Sequence, residues 1–265
     1  MAVIITGASK GIGFALAGRM ASAGHIVYSF SRTAPADTRI RHIPCDVSDT
    51  KSVDDAFREF FEKETDIDIL VNNAGIGISG ASEYADEDDI KKIFGVNFHG
   101  AVRCSQRAVP RMREQGRGKI IFISSAAAVF PIPFQSFYTA TKSAVSAFAE
   151  GLRMELRPFG IQVGTVLLCD TRTEFTANRK KNVSGEEFYG NRIEHSVSIM
   201  ENDEQNGMSA ERAAERISSY LERKRTRSCK AVGSQFRVPL PVLLFLNRIL
   251  PRGTVLGILY RIYGK

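Results

Sequence analysis

The chain has 265 residues, of which 43% are hydrophobic and 25% are charged, and it contains four cysteines. A chain of this length and composition can form one large globular domain that buries most of its apolar surface. The cysteines are scattered, without a CxxC pair or a neighbouring histidine cluster, which argues against a disulfide framework or a structural zinc site. We therefore expect no metal site and a reducing, cytoplasmic location.

The net charge of +7 is concentrated near the C-terminus. Residues 223–265 contain ten Lys or Arg and no Asp or Glu, whereas residues 1–222 contain 26 basic and 29 acidic side chains. Because the main body is slightly acidic, we expect no nucleic-acid partner. The chain starts with an apolar segment and no basic leader, and no eighteen consecutive residues are apolar, so we expect neither a secretory signal nor a membrane-spanning helix.

Short apolar segments alternate with amphipathic ones along the chain. The predicted strands lie at 2–6, 25–30, within 41–47, from 68, at 118–125 and at 161–167. The predicted helices between them lie at 12–23, 52–65 and 88–114, and a further helix has Tyr138 in its first turn and ends near Leu156. Continuous Val, Ile and Leu strands separated by helices indicate a parallel sheet that is covered on both faces. We therefore predict a single α/β domain with a doubly wound, Rossmann-type sheet.

A glycine-rich segment, "TGASKGIG", lies where the first strand ends and the first helix begins. Gly7, Gly11 and Gly13 allow a tight turn and let a phosphate group approach the N-terminus of the helix. The spacing is GxxxGxG and not the general GxGxxG fingerprint. An ordinary turn is the alternative, but the position directly after the first strand favours dinucleotide binding.

Tyr138 and Lys142 are four residues apart, so they share one face of a helix. This spacing is common by chance, and its meaning depends on the rest of the chain. Further motifs follow one another in order: "CDV" at 45–47, "NNAG" at 72–75, "VNFHG" at 96–100, "IFISS" at 121–125 and "YTATK" at 138–142. Together with the glycine-rich segment they resemble the classical short-chain dehydrogenase/reductase family over roughly residues 2–175.

The resemblance implies an NAD(P)-dependent oxidoreductase acting on the C=O/CH–OH pair, with Asn97, Ser125, Tyr138 and Lys142 as catalytic residues. Tyr138 would donate a proton to the carbonyl oxygen, and Ser125, thirteen residues earlier, would position that oxygen in preference to Ser124. Lys142 would lower the phenol pKa from about 10 and hold the nicotinamide ribose. Asn97 would kink the long helix and hold a water molecule of a proton relay.

The resemblance also implies where the cofactor binds. Asp46 and Val47 would contact the adenine, although a helix N-cap is an alternative role for Asp46. Asn73, Ala74 and Gly75 would brace the sheet beside the cofactor, and Thr173 would contact the carboxamide. The complete predicted set is Gly7, Ser9, Lys10, Gly11, Ile12, Gly13, Ser31, Arg32, Asp46, Val47, Asn73, Ala74, Gly75, Tyr138, Lys142 and Thr173.

The end of the second strand favours NADP(H) over NAD(H). An acid at this point would bind a ribose 2′-hydroxyl, but here Ser31 occupies the expected position and Arg32 follows it. Lys10 in the glycine-rich segment adds a second cation. Solvated surface charges are the alternative for both cations.

One segment departs from the family pattern. Leu168 and Cys169 stand where relatives usually have Pro-Gly, just before "TEF" at 173–175. Cys169 either contacts the substrate or is a buried structural residue. Residues 173–207 are polar, and we predict an irregular lid in which His195 lies at the surface and takes no part in catalysis.

A final segment, 237–265, follows the predicted domain of residues 1–236. Its prolines divide it into two short apolar elements, which either pack against the domain or a sister subunit, or contact a membrane surface. We expect a lipophilic ketone or aldehyde as substrate, reduced with NADP(H), and the resemblance suggests a homodimer or homotetramer. The alternative is a nucleotide-binding, redox-sensing regulatory module without turnover.

Overall fold

The computed structural model describes residues 1–235 and 238–264. Within them, seven strands form one parallel sheet in the order β7-β6-β5-β4-β1-β2-β3. The predicted Rossmann-type α/β fold in a single domain is thus confirmed. The strands are β1 (Ala2–Thr6), β2 (Ile26–Ser31), β3 (Arg41–Pro44), β4 (Ile69–Asn72), β5 (Gly118–Ser125), β6 (Ile161–Leu168) and β7 (Cys229–Val232).

The central strands are buried on both faces because helices cover both sides of the sheet. Successive side chains of a strand point to opposite faces, so Ile4 of β1 joins one hydrophobic cluster and Ile5 joins the other. This explains why β1 and β4 are runs of aliphatic residues without alternation. The helices are α1 (Gly11–Ser22), α2 (Thr50–Lys63), α3 (Glu87–Phe94), α4 (Gly100–Gln115), α5 (Ser136–Leu156), α6 (Glu186–Tyr189), α7 (Arg192–Gln205), α8 (Ala210–Leu221), α9 (Leu240–Ile249) and α10 (Arg252–Tyr263).

The long helix predicted at 88–114 is interrupted. A π-helical turn, Gly95–His99, joins α3 to α4, and Asn97 lies buried inside it. Such turns are often found at functional sites.

The segment 173–207 is more regular than predicted, and its role as a lid stays a prediction. This segment contains α6, α7 and a short strand, Lys180–Lys181, that pairs with Ile78–Ser79. Ile193, Val197 and Met200 recur at helical spacing along α7 and are buried, so packing orders a stretch that reads as polar. His195 is exposed, as expected.

The predicted boundary between residues 236 and 237 lies outside the described residues. The two expected apolar elements beyond it are α9 and α10. Leu240, Val255, Leu259 and Tyr263 pack with Phe130 against the end of the domain. In the described part of the chain, no helix is long and apolar enough to cross a membrane.

Candidate active site

A cavity of about 560 Å³ opens at the carboxyl ends of the central strands. It lies at the point where the chain changes direction across the sheet, since β1 stands between β2 and β4. Every residue of the predicted cofactor set lines this cavity, and so does Ser125, whereas Asn97 lies behind its wall.

The glycine-rich segment brings backbone close to backbone. Gly7 has a φ of +67°, and a Cβ atom there would lie 2.9 Å from the Cα of Ala74. A Cβ atom on Gly13 would lie 2.5 Å from Nδ2 of Asn73. Larger side chains at either position would push the first turn away from the loop after β4.

The N-terminus of α1 faces the cavity with free backbone N–H groups. Its first turn has no acidic residue, and no side chain of the described residues caps it. Exposed N–H groups at a helix N-terminus bind phosphate, and the glycines leave room for it to approach. These features fit the pyrophosphate of a dinucleotide.

Asn73 fastens the loop after β4 to β1. Its backbone N–H donates to Oγ1 of Thr6 at 2.9 Å, and its side-chain amide donates to the Thr6 carbonyl at 2.9 Å. The N–H of Ala74 donates to the same hydroxyl at 3.0 Å. The bracing role expected of this turn therefore has a direct structural basis.

At the adenine end, Asp46 is held by its neighbour. Its Oδ1 accepts hydrogen bonds from the backbone N–H of Ser48 at 2.9 Å and from the Ser48 hydroxyl at 2.6 Å. Burial opposes ionisation, but these bonds prevail and lower the pKa of Asp46. Asp49, and not Asp46, caps α2 by accepting from the backbone N–H of Ser52.

Ser31, Lys10 and Arg32, which are expected to decide between NAD(H) and NADP(H), differ in the hydrogen bonds and ion pairs that they already form. The Ser31 hydroxyl is buried, donates to the Thr33 carbonyl at 2.8 Å and shares a hydrogen bond with Ser29. Lys10 forms an exposed ion pair of 3.3 Å with Glu174. Arg32 is exposed, lines the cavity, and has no ion pair within residues 1–235 and 238–264. Lys92 also lines the cavity without an ion pair in these residues, so Arg32 and Lys92 are both available to an anion at this end.

The catalytic candidates meet at the nicotinamide end of the cavity. Ser125 ends β5, and Tyr138 and Lys142 face the cavity from the first two turns of α5. The ammonium of Lys142 is buried and donates to the Ile123 carbonyl at 2.9 Å. The Ser124 hydroxyl instead donates to the Lys142 carbonyl at 3.0 Å, which supports the choice of Ser125.

The pKa of Tyr138 differs from the expectation. Lys142 was expected to lower the pKa of Tyr138, but burial raises the pKa of Tyr138 to about 12 although the Ser125 hydroxyl opposes the rise. Burial also lowers the pKa of Lys142 to about 8. The ammonium lies 5.8 Å from the ring centre and is turned to a backbone carbonyl, so desolvation outweighs its attraction for a phenolate.

Asn97 ties three segments together from its π-helical turn. Its Oδ1 accepts from the backbone N–H of Ile76 at 2.8 Å, and its Nδ2 donates to the Ile76 carbonyl at 3.0 Å and to the Thr141 hydroxyl at 3.1 Å. The side chain thereby joins the loop after β4 to α5, beside Lys142. The expected kink is present, and a positioning role is the one its contacts support.

The substrate end of the cavity carries a residue that the sequence reasoning missed. Asp170 follows Cys169 in the segment that departs from the family pattern, and burial, reinforced by Asp203 and Glu204, raises its pKa to about 7. No other side chain or backbone group of the described residues donates a hydrogen bond to its carboxylate. Glu204, in contrast, accepts from Thr176 at 2.5 Å and pairs with Arg179. The remaining wall here combines the apolar Ile132, Cys169, Phe175 and Met200 with the polar Gln135 and Glu204.

Cys169 is buried and also lines the cavity. A structural role and a contact with the substrate are therefore compatible. Burial raises the pKa of its thiol to about 12, which keeps it protonated and unreactive. Its backbone N–H donates to the Val232 carbonyl at 3.0 Å, beyond the end of β6. This bond extends the pairing of β6 with β7 up to the substrate end, and the backbone of a glycine at position 169 would form it as well.

Comparison with known proteins agrees with this geometry. Residues 1–184 match the short chain dehydrogenase family. A 3-ketodihydrosphingosine reductase from Bacteroides thetaiotaomicron is 38% identical over 225 residues, which cover 84% of each chain. A short-chain dehydrogenase from Streptomyces avermitilis superposes with a TM-score of 0.80 at 28% identity and covers 98% of this chain and 94% of that one.

A nicotinamide nucleotide is bound in one similar structure. ElxO with NADP bound superposes with a TM-score of 0.72 at 25% identity, covering 87% of this chain and 96% of its own. With the family match, the glycine-lined cavity and the Ser125–Tyr138–Lys142 group together, the chain belongs to the short-chain dehydrogenase/reductase family and is an oxidoreductase of the C=O/CH–OH pair.

Proposed function

We propose that the protein uses NADPH to reduce a long-chain ketone that carries an ammonium group beside its carbonyl. The observation that carries this proposal is the Asp170 carboxylate at the substrate end, which is close to Tyr138 and has no ion pair in the described residues. The related 3-ketodihydrosphingosine reductase is named for a ketone of this kind, with an amine on the next carbon. A half-buried carboxylate without an ion pair is stabilised by a cationic ligand.

Each residue of the catalytic group has a role in this reaction. The bound nicotinamide supplies a hydride to the carbonyl carbon. Tyr138, whose raised pKa keeps it protonated at neutral pH, donates its proton to the carbonyl oxygen, and Ser125 orients that oxygen. Lys142 stands beside Gly75, with its Nζ 3.5 Å from where a Cβ would be, and holds the ribose. Asn97 keeps α5 and the loop after β4 in register.

The preference for NADPH rests on Arg32. This guanidinium reaches the adenine end of the cavity, where a planar cation suits a 2′-phosphate. NADP is also bound in the related ElxO structure. Cells keep NADPH largely reduced, and the proposed direction is therefore reduction. A homodimer or homotetramer and a cytoplasmic location stay predictions, and light scattering measures the first.

The test compares two ketones of equal chain length, one with and one without the neighbouring amine. We expect Asp170→Asn to raise KM for the amino ketone by roughly 10- to 100-fold and to leave the plain ketone nearly unchanged. Glu174→Gln is the matched control, because Glu174 also lines the cavity but is exposed and paired with Lys10. Equal use of both ketones by the wild type would refute the substrate class. Binding of NADPH without turnover of any ketone would favour the redox-sensing module.

A further inference from the structure

An apolar surface faces outward on α9. Val242, Phe245, Leu246 and Ile249 recur at spacings of three and four residues, so they share one side of the helix. All four side chains are exposed, Phe245 to 62% and Ile249 to 60%. The opposite side of α9, with Leu240, is the one that packs on the domain. The helix is therefore apolar on both sides, although only one side is covered.

The second helix extends this surface. Leu256, Ile258 and Tyr260 of α10 are exposed, while Val255 and Leu259 pack inward. We call the exposed apolar side chains of α9 and α10 the tail face. Exposure of this many large apolar side chains on two short helices is unusual for a protein surface that contacts only water.

The charges carried by α9 and α10 have one sign. Arg248, Arg252 and Arg261 are exposed on the two helices, and neither helix contains an acidic residue. A symmetric contact with a second copy would bring like cations together across the interface. An anionic bilayer instead takes up the apolar side chains and attracts the cations.

The inner side of the same helices reaches the cavity wall. Leu240, Val255 and Leu259 belong to the cluster that includes Ile132, Cys169 and Met200, and these three side chains also line the substrate end of the cavity. The helix α7 adds a second link, because the Arg192 guanidinium lies 5.8 Å from the Tyr260 ring centre and Met200 lines the cavity. The inner side of the tail helices and the substrate end thus share one hydrophobic cluster.

We propose that the tail face docks on an anionic lipid bilayer, with α9 and α10 lying in the interface, and that docking brings the substrate end of the cavity to the membrane surface. The helices lie on the membrane and do not span it. A long-chain ketone can then pass from the bilayer into the cavity without crossing water. Bilayer docking itself does not depend on the proposed substrate.

The test uses the full-length protein and sedimentation with vesicles of phosphatidylcholine, with or without phosphatidylglycerol. We expect the wild type to bind the anionic vesicles and to be released by salt. The double variant Phe245→Asp with Ile249→Asp should bind at least about tenfold more weakly. Arg248→Gln should lose roughly fivefold, the effect of one cation near an anionic surface. Met154→Asp is the matched control, because Met154 is 72% exposed on α5, outside the tail face, and should not affect binding.

Two further measurements separate the outcomes. Unchanged melting and unchanged turnover of a short, water-soluble ketone show that a variant is folded and active. Wild-type protein that stays in the supernatant, or that binds both vesicle types equally, would overturn the proposal. So would a double variant that turns a dimer into a monomer while vesicle binding is unaltered, because the tail face would then cover a second copy. Vesicle binding is measured without ketone or NADPH. A protein that does not bind vesicles can therefore still be the proposed reductase, and a protein that does not reduce the ketone can still dock on a bilayer.

Discussion

The Lys142 ammonium lies 5.8 Å from the centre of the Tyr138 ring and is fixed there by a hydrogen bond to the Ile123 carbonyl. The two groups are one helical turn apart on α5, and both are buried at the cavity. The protein therefore holds a protonated phenol and a cation in place before a ligand arrives. This arrangement leads to predictions for each residue.

Tyr138→Phe should abolish most turnover without preventing NADPH binding. Loss of a general acid commonly lowers kcat by about 10²- to 10⁴-fold. Tyr189→Phe is a suitable control, since the Tyr189 hydroxyl bonds to Glu83 and neither residue lines the cavity. Steady-state kinetics give kcat, and quenching of NADPH fluorescence gives the affinity. Turnover that survives the Tyr138 change would refute the role of its phenol.

Lys142→Met should change how the free energy of unfolding depends on pH. Burial lowers the pKa of Lys142 to about 8, from 10.5 for a lysine in water. Between these values the unfolded wild type binds more protons than the folded one, so its stability rises with pH relative to the variant. The relative gain should total about 3 kcal/mol, from about 1.4 kcal/mol per pKa unit. Urea unfolding of both proteins across this pH range measures it, and a constant difference would contradict the prediction.

Gly13→Ala should weaken NADPH binding and destabilise the fold, because its Cβ would lie 2.5 Å from Asn73 Nδ2 and 2.7 Å from the Gly7 carbonyl oxygen. We expect a stability loss of about 1–3 kcal/mol, as for other overpacked sites. Gly151→Ala is the matched control in helix α5, where a Cβ meets nothing within 4 Å. That change should stabilise the protein by about 0.5–1 kcal/mol. Thermal melting of both variants compares them, and equal effects would argue against a tight loop.

Arg32→Ala should raise KM for NADPH by roughly 10- to 100-fold and leave KM for NADH nearly unchanged, because only NADPH has a 2′-phosphate to pair with the guanidinium. Arg39→Ala serves as the control: Arg39 is also exposed, but its guanidinium bonds to Asp37. Kinetics with both cofactors decide the outcome. A wild-type preference for NADH, or an equal rise of KM for both cofactors in Arg32→Ala, would contradict a role of Arg32 in binding the 2′-phosphate.

The parts of the fold and site that could be predicted from the sequence depend on local spacing. The glycine-rich loop, the four-residue step from Tyr138 to Lys142 and the aliphatic strands all have patterns that are readable within a few residues. The structure brings these segments to one cavity because the carboxyl ends of parallel strands lie at one edge of the sheet. Local spacing and the family resemblance together therefore predicted which residues would meet.

Burial and distant packing could not be predicted in this way. The four residues of β7 are a strand because they pair with β6 and form the edge of the sheet, and their own composition does not indicate it. The pKa of Tyr138 depends on how many neighbours exclude water, which the position of Lys142 does not reveal. Asp170 looks like one more polar residue after a strand until burial and the neighbouring acids raise its pKa.

The π-helical turn at Asn97 also restricts how the length of this segment can change. A π turn contains more residues than an α turn, and each residue advances a helix by about 100°. Deleting one residue between Gly95 and His99 would restore a regular helix but rotate all of α4 relative to α3. Gly100, where a Cβ would lie 2.8 Å from a side-chain carbon of Val47, would then turn away from Val47. A residue with a bulkier side chain would take its place against Val47. A shortened helix with ideal hydrogen bonds would thus be less stable than the irregular one, and homologous chains should conserve the length of this segment more strictly than its sequence.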